Sequence, residues 1–593
     1  MAAKDKKEQR LQGTPICVGV AIGKPFVFTF SDDLVPEFSI SSNEVKREIT
    51  RYQKALDASR QDIIRLKDQL ENEGPLEGIL IMEAHLQMMQ DPLITTRIEE
   101  EIRTTRKNAE YIFQIAIDEY EEKFNKIPNK FFRDRFKDIQ DISRRIMQHL
   151  RKSVRITLAD IPPNSIVFTH ELSPSDTAEA LSSSIKAFVV QEGGETSHAA
   201  IMAKAKGIPY VVNVNFGTTL GQAELKSVIV DGRTGEVIIH PTQRTLAKYR
   251  DLQKQLDIHL TNLESNGTLE SETIDGYKVL LSANIEMFEE FDMLHKYGGE
   301  GVGLFRSEYL FSFNDDFPNE EEQYVLYRQI VEKMKGLPVV IRTFDIGGDK
   351  FRSFQQSFTH VEDNPFLGCR AIRFMLKQQE AFKNQLRAIL RAGALGEVSI
   401  MFPMVSGLPE LLEAKQLLKE TCMELKSEGI ETAEHIRIGC MIEVPSAAIT
   451  CDILAKECDF LSIGTNDLVQ YSLAVDRGNH AMSYLYSPTH PSVIRLIKMI
   501  VAEGNRNGIP VSICGEIGAD PRFTSLLLGL GVHELSVASR YIPIVKNAIR
   551  NTSIVEATEL AEKALGMPTA AEIKNMLVEE YRKNVAHDFL YNH

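Results

Sequence analysis

The spacing of hydrophobic positions changes along the chain, and each change marks a different kind of structure. Residues 14–30 (TPICVGVAIGKPFVFTF) are β-branched and aromatic with interspersed glycines, which predicts one or two strands. From Ser41 the spacing becomes helical. Ser41-Ser42-Asn43-Glu44 resembles a capping box, and Val45, Ile49, Tyr52, Leu56, Ser59, Ile63, Leu66 and Leu70 alternate steps of four and three. Further helices are expected over 79–89, stopping at Asp91-Pro92, then through Ile98, Ile102 and Ile112, and over 132–150. Together they predict an antiparallel helical subdomain.

Strand-like texture returns after Ile156, over 165–169, 187–191, 210–213, 228–230 and 236–239, the last two joined by Asp231-Gly232-Arg233-Thr234-Gly235. The simplest arrangement is an α/β domain built from 1–33 plus 151–245, with the helical block 34–150 inserted into it. A charged helix over 246–263 runs into the polar, turn-rich 264–273, so 246–273 reads as a linker helix and hinge. Beyond it, in 274–593, strand candidates at 279–285, 301–305, 339–345, 398–404, 436–444, 460–465, 510–514 and 534–538 alternate with helical segments. That alternation predicts a (β/α)8 barrel, with an open doubly wound sheet as the alternative.

Composition narrows the class. The chain has 593 residues, 43% hydrophobic and 25% charged, with a net charge of -15, which suits a soluble protein of several domains and argues against a general nucleic-acid binder. There is no long apolar run and no apolar core near the polar start, so the expected compartment is the cytoplasm. Seven scattered cysteines without a C-x-x-C favour reduced thiols over disulfides or zinc.

Candidate chemistry falls where a barrel would gather it. Strand ends carry Arg306-Ser307-Glu308, then Arg342, Asp345 and Lys350, then Glu443, Asn466-Asp467 and Cys514-Gly515-Glu516. Arginines fork onto phosphate and carboxylate oxygens, so Arg306, Arg342, Arg370 and Arg477 suit a small, highly anionic substrate. Glu443 and Asp467 offer the hard oxygens that hold Mg²⁺. The bland alternative is that these arginines and acids merely pair with one another. Upstream, GGETSHAAIMA sets His198 between a glycine pair and small apolar residues, at the start of a helix expected over 199–206. In isolation it reads as an ordinary surface histidine; beside a distant anion-binding mouth it reads as a covalent phosphoryl carrier.

Taken in order, GGETSHAAIMAKAKGIP, GLFRSEYLF, RTFDIGGDK, NPFLGCRAIR, MIEVPSAA, SIGTNDLVQYSLAVDRGN and CGEIGADP resemble the phosphoenolpyruvate-protein phosphotransferases, the enzyme I family of the sugar phosphotransferase system. The related pyruvate phosphate dikinases and phosphoenolpyruvate synthases carry an ATP-binding domain for which this chain has no room. The resemblance implies that His198 takes the phosphoryl group of phosphoenolpyruvate and passes it to the histidine-containing phosphocarrier protein, which docks on the helical block. It implies that Thr177 orients the imidazole, that Arg306, Arg342, Arg370, Asn466 and Arg477 hold the substrate, and that Glu443 and Asp467 bind Mg²⁺. Cys514 would protonate the enolate to give pyruvate, with an expected thiol pKa of about 8.5. The family implies a homodimer through the barrel and a swivel of the histidine domain about the region near 264–273. Rival readings are a dikinase-type enzyme without its nucleotide domain and a phosphoenolpyruvate-sensing scaffold. Two positions depart from the family pattern: Glu195 stands where arginine is common, and Cys369 where tryptophan is.

Overall fold

The structure is a computed structural model and describes residues 8–28, 35, 37–73, 82–83, 85–91, 93–125, 130–151, 161–172, 185–193, 199–200, 203, 207–216, 227–286, 288, 290–308, 317–347, 364–476 and 480–585. The chain divides into two compact units, one reaching Asp257 and one starting at Ile258.

The first unit is built on one mixed sheet. Its strands are β1 (Gln9–Gln12), β2 (Thr14–Cys17), β3 (Val20–Phe28), β4 (Ser165–Thr169), β5 (Ala187–Val190), β6 (Tyr210–Val212), β7 (Val228–Asp231) and β8 (Glu236–Ile239), in the order β1-β8-β7-β3-β4-β5-β6-β2. Strands β4 and β5 are buried at every position, which is why they read as unbroken apolar runs rather than alternating ones. The β7–β8 turn is closed by Asp231, whose carboxylate accepts from the N–H and side chain of Arg233, and by Gly235 at φ 76°.

The helical block leaves the sheet after β3 and returns at β4. Helix Val45–Glu73 buries Ile49, Tyr52, Ser59, Ile63 and Leu66, the stripe its spacing predicts. The Tyr52 hydroxyl, inside the core, donates to the Ile94 carbonyl at 2.6 Å. The start differs from a full capping box: Ser41 donates through both its N–H and its hydroxyl to the Glu44 carboxylate. The single helix expected through Ile98 and Ile112 is two, Ile98–Thr105 and Ala109–Asn125. Arg106 adopts a left-handed conformation that ends the first, and Asn108 exchanges hydrogen bonds with the Phe38 backbone. A helical hydrophobic phase continues across such a break, so periodicity alone does not reveal it.

The second unit is a closed parallel barrel. Strands β9 (Leu280–Ile285), β10 (Val302–Arg306), β11 (Val339–Arg342), β12 (Val398–Phe402), β13 (Arg437–Ile442), β14 (Phe460–Ile463), β15 (Val511–Ile513) and β16 (Glu534–Ala538) run in sequence order, with β16 pairing back onto β9. One large apolar core lies between strands and surrounding helices. A second cluster, Leu304, Met401, Met441, Phe460 and Cys514, fills the barrel interior, where a Cβ on Gly439 would meet the Phe460 ring at 2.2 Å. Several strands, β11 to β15 among them, end earlier than their hydrophobic runs. Expected strand 339–345 pairs only to Arg342, and Asp345 N–H goes to the Glu308 carboxylate rather than to the sheet. Phe344 and Ile346, past the end of β11, are buried in the apolar core, which extends the run without extending the ladder.

Residues 264–273, expected as hinge, are anchored to the barrel. The buried Lys546 ammonium donates to the carbonyls of Gly267 and Gly298, both at 2.8 Å. Ser271 donates to Glu300 at 2.6 Å, and Arg550 to the Glu270 carbonyl at 2.8 Å. Among the described residues, no helix is long and apolar enough to cross a membrane.

Candidate active site

Five of the barrel strands carry candidate chemistry at or just past their ends. Arg306 is the last residue of β10 and Arg342 the last of β11. Glu443 follows β13, Asp467 lies in the first turn of helix Thr465–Leu473 after β14, and Cys514 follows β15. Arg370 comes from a loop that bridges back to Gly347. The next residue, Ala371, sits at φ 54° and donates its N–H to Ile346 O at 2.7 Å.

Arg342 and Arg370 lie in one buried ion network. Arg342 Nη2 donates to Glu308 at 2.7 Å, and its Nη1 is 3.4 Å from Asp345. Arg370 takes Asp345 in a two-point clamp, at 2.7 and 2.8 Å, and reaches Asp467 at 3.3 Å. Burial alone would lower the pKa of both guanidiniums; the carboxylates around them more than offset it and hold them charged. The bland reading of arginine–acid pairing is therefore met pair by pair. Among the described residues it leaves Arg342 Nε buried without a hydrogen-bond partner, which an anion in the mouth would satisfy. Arg306, half exposed, is paired with Glu286.

The carboxylates carry a matching excess. Glu443 is fully buried, accepts from the Met404 N–H at 2.8 Å, and has its pKa pushed up to about 8, first by burial and then by Asp467 and Asp345. A Cβ on Gly464 would lie 2.4 Å from Glu443 Oε2, so glycine keeps that face of the carboxylate clear. Crowded hard oxygens beside an unblocked face are a donor set that a divalent cation fits. Among the described residues, no group of three or more His, Cys, Asp or Glu is arranged to hold a metal ion, so water and substrate oxygens would have to supply the remaining ligands.

Cys514 is 4% exposed and hydrogen-bonds through Sγ to Ile463 O at 3.5 Å. Its apolar surroundings push its pKa up to about 11, well above the 8.5 expected from the residue type. Asn466 exchanges hydrogen bonds with Glu516, at 3.2 and 3.0 Å. The histidine loop is described only at its edges: Ala199, Ala200 and Ala203 are helical and buried. His198, Thr177, Arg477, Lys350 and Glu195 lie outside the described residues.

Two supporting residues escape sequence reasoning. Tyr471 accepts from Arg370 Nη1 at 3.2 Å and donates to Phe366 O at 2.6 Å, tying the Arg370 loop to the helix that bears Asp467. Its spacing of four from Asp467 is the signal that could have found it. Gln385 lies in an apolar helix stripe and links Ser307, Tyr327 and the Phe344 N–H; a polar residue in phase with Phe382, Leu386 and Ile389 marks such a buried hub.

Comparison with known proteins bears on this mouth directly. Family models match three stretches: the N-terminal domain of PEP-utilising enzymes over 12–135, their mobile domain over 161–235, and their PEP-binding domain over 261–554. The chain is 38% identical over 576 residues to the phosphoenolpyruvate-protein phosphotransferase of Listeria innocua, covering 97% of this chain and 99% of that one. For the proteins of the same name from Staphylococcus carnosus and Haemophilus influenzae, identity is 37% over 577 and 563 residues, covering 97% and 95% of this chain and 100% and 97% of theirs. The PEP-binding model lies over the barrel that carries the arginine network, and the likeness runs almost end to end, so the chain belongs to the phosphoenolpyruvate-protein phosphotransferase family.

Proposed function

We propose that the chain moves the phosphoryl group of phosphoenolpyruvate onto His198 and then onto the histidine-containing phosphocarrier protein, releasing pyruvate, as the first step of sugar uptake by the phosphotransferase system. The observation that carries this is the buried arginine–carboxylate network at the barrel mouth, with an Arg342 Nε that has no hydrogen-bond partner among the described residues, in a chain of this family.

Arg306, Arg342 and Arg370 hold the phosphate, with Asn466 and Arg477 adding contacts. Arg342 and Arg370 are fixed by Glu308, Asp345 and Asp467, and Arg306 is paired with Glu286, before substrate arrives, so little reorganisation accompanies charge development. Glu443 and Asp467 would hold Mg²⁺, which when bound neutralises charge on the transferring group. The His198 imidazole, oriented by Thr177, forms a bond to phosphorus while the bond to the enol oxygen breaks. Cys514 then gives its proton to the enolate C3, and a thiol with pKa near 11 arrives at that step protonated.

The histidine must meet both the barrel mouth and an external protein, so its domain (1–33 plus 151–245) swivels between them. The anchoring of Gly267, Glu270 and Ser271 supports a pivot before Asn266, within the helix that starts at Gln243. The helical block 34–150 docks the carrier. The barrel forms a homodimer, a reading supported by the exposed apolar side chains Ile449, Ile453, Tyr484 and Leu485. The enzyme works in the cytoplasm.

The test is incubation with phosphate-labelled phosphoenolpyruvate and Mg²⁺. The wild type should acquire an acid-labile, alkali-stable label that His198→Ala lacks and that moves to added carrier. Label that persists in His198→Ala, or does not move, contradicts the proposal.

A further inference from the structure

Cys514 is held from across the barrel interior. Asn284, on β9, donates from Nδ2 to the Cys514 carbonyl at 2.9 Å, although β16 lies between β9 and β15. Asn284 Oδ1 accepts in turn from the hydroxyl of Ser536 on β16, at 2.7 Å, which fixes which way the amide faces. Ser536 is wholly buried and reaches Asn284 because β10 leaves room for it: a Cβ on Gly303 would lie 2.5 Å from its Oγ. The other side of the same residue is equally fixed. The Cys514 N–H donates to Ile463 O at 3.2 Å, and a Cβ on Gly515 would fall 1.8 Å from Thr465 Oγ1.

Barrel closure does not require this amide. β16 and β9 already pair through their backbones from Glu534↔Leu280 to Ala538↔Asn284, and Cys514 packs in an apolar cluster with Leu304, Met401, Met441 and Phe460, with the buried Ser462 also beside its thiol. A polar side chain with both ends satisfied, spent on the carbonyl of one residue past a strand end, sets the direction of that residue's Cα–Cβ bond. We propose that Asn284, held by Ser536, is the positioning residue that aims the Cys514 thiol at the enolate C3. The inference rests on the reading of Cys514 as proton donor. In that step the S–H bond breaks, the C3–H bond forms, the electron pair stays on sulfur as thiolate, and solvent water returns the proton.

The experiment uses phosphoenolpyruvate carrying one deuterium at a defined C3 position, turned over with Mg²⁺ and carrier protein in tritiated water. Wild type should give a methyl group of one configuration. Asn284→Ala and the near-isosteric Asn284→Asp should keep KM within about twofold, since the arginines are untouched, while kcat falls about 100-fold and the methyl becomes racemic through unguided protonation of released enolate. Ser536→Ala should show a smaller loss in the same direction, and Ser536→Thr, which keeps the hydroxyl, should restore one configuration. An Asn284→Ala enzyme that gives a single configuration with wild-type kcat overturns the proposal. So does one whose loss appears as raised KM and lowered thermal midpoint alone, the mark of a merely structural role. A racemic methyl from wild type would instead overturn the Cys514 reading and this inference with it.

Discussion

As the proposed proton donor, Cys514 would have to hold its proton when the enolate forms, and its burial in the barrel favours the protonated thiol. With its pKa pushed up to about 11 by burial first of all, the thiol is the dominant form throughout the neutral range. Alkylation by iodoacetamide needs the thiolate, so the rate at Cys514, followed by peptide mass spectrometry, should keep rising with pH to about 11; a plateau near 8.5 would show an ordinary exposed thiol. Ala371 stores strain beside Arg370, at φ 54° and ψ -127°. Ala371→Gly should raise the thermal midpoint of the barrel unit by about 2 °C while lowering kcat, because the arginine loop loses its fixed course. A lowered midpoint would contradict the strain. Glu195 sets a carboxylate three residues from His198, the proposed phosphoryl acceptor, where it should repel an incoming trianion and favour a protonated, non-nucleophilic imidazole. Glu195→Arg should therefore speed phosphorylation of His198, and an equal or slower rate would count against the repulsion.

At the scale of elements, helix Gln243–Ser265 is capped by a residue far from it in sequence. The Glu8 carboxylate accepts from the Thr242 N–H at 2.9 Å and from the Thr245 hydroxyl at 2.5 Å. These bonds hold its pKa down at about 2, the backbone bond contributing most. A lowered carboxylate pKa stabilises the fold above the unfolded value of about 4.5, and that contribution is lost as pH falls toward 2. Glu8→Gln should cost about 1 kcal/mol at pH 7 and make stability between pH 4.5 and 2 less steep in acid titration. Equal slopes would show that the cap carries no charge-dependent stability. No local pattern could have disclosed this pair, because its partners are 234 positions apart. Local patterns did disclose the eight barrel strands, since each is a short apolar run between helices, and the helix Val45–Glu73, since one stripe of it faces one core. They missed the left-handed break at Arg106, and they overran β11, where burial in the core continues past the last ladder bond. Arg306, Arg342, Glu443 and Asp467 were legible as candidates because their residue types fall at or just past strand ends, whereas Arg370 lies on a loop. Asn284, Gln385 and Tyr471 were not, because each matters through partners supplied by other strands and loops.

At the scale of the whole molecule, His198 and the arginine network belong to separate parts of the sequence, and the proposed transfer would require those parts to meet and separate in every cycle. A disulfide that ties the histidine domain to the barrel should abolish transfer to the carrier and release it again on reduction; undiminished transfer in the oxidised form would sink the swivel. The central claim is that phosphoenolpyruvate phosphorylates one histidine per chain and that the group waits there for the carrier. A rapid-quench single turnover without carrier, with labelled phosphoenolpyruvate in excess, tests it most directly. A burst of about one pyruvate per chain is expected, with an equal amount of label on His198 and then no further release until carrier is added. Continued pyruvate formation without carrier, or a burst in His198→Ala, would contradict it.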